Sequence, residues 1–200
     1  MVLAFHAIFA CYGFWLPNEE RGSWSNEVWA KHLRPFGPAT KTTERRSLAD
    51  QPYDRQKRRE ARETLLYPPV RFNGLQARAV ARGFASIVER IGLVVYACSI
   101  MPDHVHLVFA RHPATVEEIV GFLKRAATRE LTREGLHPLA EYRRARGTVP
   151  TPWVIGGWNR YLNRAPEIAD ATDYVEKNPE KLGFKRQSWS FVLPFVRSGY

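Results

Sequence analysis

Cysteine is nearly absent from this sequence: Cys11 and Cys98 are the only two in 200 residues. Two thiols cannot build a disulfide framework, and no Cys-x-x-Cys pair is available for zinc. Both lie in apolar, strand-like runs, which suits buried free thiols in a reducing cytoplasm. No apolar run approaches the roughly 20 residues that span a bilayer, so no membrane segment is expected. The N-terminal run Val2–Ala10 is apolar but lacks a basic leader and a small-residue cleavage site, which speaks against a signal peptide. Internal repeats and a low-complexity tail are missing too.

Acidic residues are the other shortage. Asp and Glu number 20 against 30 Lys and Arg, for a net charge of +10. That balance favours a polyanionic partner: DNA, RNA or an acidic membrane surface. The hydrophobic fraction of 44% supports an ordinary core. The length suits one domain spanning 1–200 with a large insertion.

What is present is a mixture of helical and strand-like periods. Residues 2–14 read as a first strand. Residues 19–53 are polar and turn-rich with no apolar period, and the whole stretch of about 19–73 is expected to be an insertion. Residues 54–66 form a short, highly charged helix, read as a solvated surface helix with i,i+4 ion pairs. Gly74–Ile91 is strongly helical, with Ala79, Val80, Phe84, Ile87 and Val88 on one face, and Gly92 is placed to end it. Leu93–Ile100 and His104–Ala110 form an expected antiparallel pair around Met101-Pro102-Asp103. A helix over Val116–Leu131, a strand over Trp153–Leu162 and a helix over Pro166–Lys181 complete the order. Intermingled helices and antiparallel strands predict an α+β fold with helices packed on one sheet.

The densest chemical signal is Met101-Pro102-Asp103-His104-Val105-His106. Side chains alternate along a strand, so His104 and His106 share a face. Two imidazoles side by side on a strand are half of a divalent-metal site. Downstream lies Asp173-Tyr174-Val175-Glu176-Lys177-Asn178-Pro179, in which Tyr174 and Asn178 share a helix face and Pro179 predicts a kink or a new turn near Asn178. His6 reads as a core or sheet histidine. His32, His112 and His137 read as loop or surface residues. Tyr161 reads as packing or stacking on a base, and Tyr142 sits in a basic loop.

With these residues the sequence resembles the single-tyrosine HUH transposases, most closely their REP-associated tyrosine transposase branch. The resemblance rests on the paired His104-Val105-His106 and Tyr174-Val175-Glu176-Lys177-Asn178-Pro179 motifs, with Gly183 and Trp189-Ser190-Phe191 following. It runs from about Leu93 to Phe191. It implies a ferredoxin-like α+β core with an antiparallel sheet. It implies magnesium or manganese held by His104, His106 and Asn178, with Tyr174 as nucleophile on single-stranded DNA beside a hairpin. The product would be a 5′-phosphotyrosine link and a free 3′-hydroxyl, open to strand transfer. A homodimer is compatible with the resemblance.

Lys124, Arg125 and Arg129 on the helix after the histidine strand, then Arg143, Arg144 and Arg146, are candidate phosphate contacts. Trp158 and Trp153 are candidate base-stacking residues, although tryptophans at strand spacing are more often core. The alternative to an enzyme is a catalytically silent DNA-binding protein that recognises repeat hairpins. A two-metal phosphodiesterase is disfavoured, because the extra acidic ligands it needs are not in evidence.

Overall fold

The computed structural model describes residues 1–18, 28, 30–37, 54–145 and 147–196. Four antiparallel strands form one sheet in the order β2-β3-β1-β4: β1 is Ala4–Ala10, β2 is Val95–Ile100, β3 is His104–Ala110 and β4 is Trp158–Leu162. The helices are α1 (Arg55–Glu63), α2 (Gly74–Ile91), α3 (Val116–Arg133) and α4 (Ala165–Lys177). With α2 between β1 and β2 and α3 between β3 and β4, this is the ferredoxin-like order implied by the resemblance. No helix among the described residues is long and apolar enough to cross a membrane.

The strand alternation divides the core into two layers. Ala7, Phe9, Val105, Leu107 and Phe109 point to one face and pack with Phe84 and Ile87 of α2 and Ile119 and Leu123 of α3. Ala4, Val108 and Leu162 point to the other face and pack with Ile168, Ala171 and Val175 of α4. Apolar residues at helical spacing explain why α2 and α3 lie down here. Their N-termini are fixed by capping boxes at Asn73–Gln76 and Thr115–Glu118, which satisfy donors that a helix start leaves open. Both helices also approach closely. A Cβ on Gly83 would come within 2.7 Å of the Ala127 backbone. Gly83→Ala is therefore expected to lower stability by about 1–3 kcal/mol, read as a lower thermal midpoint with an unchanged far-UV spectrum.

Several strand and helix limits differ from the sequence reading. The first strand is shorter than residues 2–14, because Cys11 leaves the ladder to bridge Trp153 alone. The last strand begins at Trp158 rather than Trp153. Trp153 is core: it is 3% exposed, and its Nε1–H donates to Thr128 Oγ1 at 3.2 Å. The final helix breaks at Lys177, and a 3-10 turn covers Asn178–Leu182. This is the new turn that Pro179 predicts. Most of the 19–53 stretch, and Arg146, lie outside the described residues.

The C-terminal segment covers the outer edge of β2. The Gln187 side chain both accepts from Ile100 N–H (2.7 Å) and donates to Ile100 C=O (2.8 Å). Further along, Leu193 N–H donates to Val95 C=O at 2.8 Å.

Candidate active site

β3 begins at His104, so the strand alternation sends His104 and His106 to the α4 face of the sheet. Their ring centroids are 4.9 Å apart. The register sets Ile8 opposite His106 and Ala10 opposite His104. His6, two residues before Ile8, therefore points to the same face. His6 Nε2 lies 3.0 Å from His106 Nδ1. The sequence reading left His6 as a core or sheet histidine; the fold makes it the direct partner of the motif.

α4 crosses this face and brings Tyr174 down onto it. The Tyr174 ring centroid is 5.7 Å from that of His106 and 6.0 Å from that of His6. The spatial link that the sequence alone leaves open, the tyrosine helix over the histidine strand, is thus present within one chain. Tyr174 remains 44% exposed, so a substrate can reach it. Tyr161 pairs with Phe5 and meets its ring at 5.6 Å, on the opposite side of the sheet from the histidines. Trp158 does reach the site, edge-on to His6 at 5.9 Å. Asn178 follows one turn after Tyr174 and is 7% exposed.

The hydrogen bonds fix which nitrogen of each histidine is available. His104 Nδ1 is 2.7 Å from Asp103 Oδ1, and Asp103 also accepts from Arg71 Nη1 at 3.0 Å. His106 uses Nδ1 toward His6. Both motif histidines are thus left with Nε2 as the ligating atom. A ligand histidine engaged through its other nitrogen is the usual arrangement at metal sites. Burial, then His104, His6 and Lys181, holds the His106 pKa well below its ordinary value, so the imidazole stays neutral as ligation needs. Ligation through His106 Nε2 requires its proton on Nδ1, donated to His6 Nε2. The donor set therefore fits one divalent cation held by two imidazoles. Among the described residues no group of three or more His, Cys, Asp or Glu side chains could hold a metal ion, and Asn178 is the further side chain that the resemblance would add.

His6 itself has its pKa lowered from 6.5 to about 4, by burial and then by Arg160. Between these values the unfolded chain binds a proton that the folded chain refuses. Its contribution is full above pH 6.5 and lost as pH falls toward 4. At about 1.4 kcal/mol per pKa unit this amounts to a loss of a few kcal/mol. Urea unfolding at pH 7 and pH 4.5 is expected to show it, with a shallower pH dependence in His6→Asn; equal slopes would remove His6 as the cause.

Two cations that the sequence reading did not single out sit here. Arg160 is the register partner of His6. Lys181 Nζ lies 3.9 Å from the Tyr174 ring centroid. The basic residues that reading did choose are elsewhere. The Lys124 ammonium is engaged within the protein: it donates to Val154 C=O (2.8 Å) and Gly156 C=O (2.6 Å), and burial pushes its pKa down to about 8. Arg125, over the Phe122 ring at 5.1 Å, and Arg129 belong to α3, in the layer on the far side of the sheet. Arg143 Nη1 donates to Gly147 C=O at 2.9 Å, and Arg144 Nη2 lies 3.5 Å from Tyr67 Oη. His137 is buried, not superficial, and its Nδ1 accepts from Leu139 N–H. His112 bridges Ile91 C=O and Ala114 N–H.

Fold and site together define a class: an α+β protein whose central strands present histidines to a helix-borne tyrosine. Residues 69–146 match the family described as Transposase IS200 like. That stretch contains the histidine strand; Tyr174 lies beyond it. Among similar solved structures is the REP-associated tyrosine transposase bound to a REP hairpin (TM-score 0.48, 10% identity, covering 94% of this chain and 74% of that one). Another is a presumptive transposase from Deinococcus radiodurans R1 (TM-score 0.39, 15% identity, 88% and 91%). No curated protein matches the chain.

Proposed function

We propose that the protein is a divalent-cation-dependent single-stranded DNA endonuclease and strand transferase acting through Tyr174. The observation that carries this reading is Tyr174 lying 5.7 Å, ring to ring, from His106 on a face shared with His104. The family match over the histidine strand supports DNA as the substrate.

A tyrosine phenol has an ordinary pKa of about 10 and is mostly protonated at neutral pH. It must be held in line with phosphorus and lose its proton as it attacks. The Tyr174 Oη–P bond forms as the P–O3′ bond breaks. The phenolic proton passes to solvent or a neighbouring base, and the departing 3′-oxygen takes one up. The DNA 5′ end is left on Tyr174 as a phosphodiester. Because no bond energy is lost to hydrolysis, an incoming 3′-hydroxyl can reverse the step and join a new strand. A magnesium or manganese ion on His104, His106 and Asn178 would polarise the scissile phosphate. Lys181, beside the tyrosine ring, adds positive charge where the phosphoryl oxygens would lie. Trp158 offers an aromatic surface for an unpaired base.

The test is incubation of the protein with end-labelled single-stranded oligonucleotides, with and without a hairpin, in Mn²⁺ or Mg²⁺, followed by denaturing electrophoresis. A 5′-linked covalent adduct and a free 3′ end are expected. Tight binding with no cleavage across hairpins would favour the catalytically silent DNA-binding reading.

A further inference from the structure

The charged helix α1 does more than face solvent. Arg55, Arg58, Arg59 and Arg62 fall at i, i+3, i+4 and i+7, the spacing that puts residues on one helix face. The i,i+4 pairs on this face are arginine with arginine, each costing a few tenths of a kcal/mol in the helix itself. Helix stability therefore does not account for the pattern. A side-chain i,i+4 contact within α1, Gln56 to Glu60 at 2.9 Å, belongs to another face. α1 is anchored through Ala61, which packs with Leu16 and Leu33.

This arginine face lines a cavity of about 380 Å³. Arg71, Asp103 and Phe14 line it as well. Two of those residues also touch His104: Asp103 bonds its Nδ1 at 2.7 Å, and Phe14 stacks on its ring with centroids 5.2 Å apart. The cavity and the histidine site thus share a wall. Among the described lining residues, five arginines meet one carboxylate. Guanidinium forks suit phosphate oxygens, and Phe14 adds an aromatic surface of the kind on which unpaired bases stack.

We propose that this cavity binds the phosphodiester backbone of the single strand flanking the cleavage point, with α1 as its clamp. The proposal rests on the DNA-cleaving reading of the histidine–tyrosine site. The test uses the full chain, a fluorescent dT20 single strand and a salt series. Two double variants, Arg55→Gln with Arg59→Gln and Arg58→Gln with Arg62→Gln, are compared with Arg125→Gln with Arg129→Gln on the far layer. Each lost phosphate contact lowers the slope of log K against log salt by roughly 0.7. Each α1 pair is expected to lower it by about 1.4 on that scale and to weaken binding at least tenfold, with the far-layer pair unchanged. If an α1 double variant does not fold, the exposed single change Arg59→Gln is read in the same way. Unchanged slopes in folded α1 variants, with the wild type still forming its adduct, overturn the clamp and leave the active-site reading intact. Reduced slopes without any wild-type adduct would keep the clamp as a DNA-binding surface and overturn the active-site reading instead.

Discussion

Tyr174→Phe is expected to abolish the covalent protein–DNA adduct, a loss of at least about 1,000-fold in cleavage. The phenylalanine ring keeps the edge contacts with His6 and His106, so only the oxygen is removed. Fold, cation binding and DNA affinity should therefore survive, and the effect should fall on the chemical step. Tyr161→Phe is the matched control, since Tyr161 lies against Phe5 on the other face of the sheet. It should leave the adduct unchanged. Adduct formation by Tyr174→Phe at the wild-type rate would reassign the nucleophile. Its loss in both variants would point to a shared folding defect, which a thermal melt detects.

The second large effect is expected at the histidines. His106→Ala removes a nearly buried ring, 4% exposed, and leaves His6 Nε2 without its 3.0 Å partner. Manganese affinity should fall by more than about 100-fold, and cleavage should fall with it. Part of the phenotype will be structural, because a buried large-to-small change costs about 2 kcal/mol or more. His104→Ala separates the two causes. That ring is only partly buried and stacks on Phe14, so the fold should tolerate its removal while the cation is lost. Calorimetric titration with Mn²⁺ gives the affinity, and the adduct assay gives the activity. Wild-type cation affinity and cleavage in both variants would remove the metal from the mechanism.

How much of this could be read from residues alone depended on range. β3 was legible to its ends, because a short apolar, β-prone run surrounds the two histidines and a proline turn precedes them. α2 was legible as well, through its apolar stripe and through Gly92, which the structure puts in the left-handed region (φ 65°); its asparagine cap emerged only from the structure. Strand alternation was enough to put His104 and His106 on one face. It could not say that β1 lies beside β3, and so it could not pair His6 with His106 across 100 residues of chain. Periodicity identifies a face of α3 but not what covers its flanks, which is why Lys124 looked like a phosphate contact while two loop carbonyls hold it inside. In α1 the same blindness ran the other way. Its charges suggested a solvated surface, and only the packing of Ala61 on Leu16 turns four arginines toward a cavity beside the site.

The cover over β2 bears on how the chain is made. An amide side chain at Gln187 occupies both main-chain groups of Ile100, and Leu193 takes the carbonyl of Val95. An open strand edge is a template for any other extended chain. Residues that close this one leave the ribosome after every described strand of the sheet. The nascent protein therefore carries an adhesive flank until synthesis passes Leu193. Shortening the chain before Gln187 would make that transient hazard permanent, even with every residue of the histidine–tyrosine site in place.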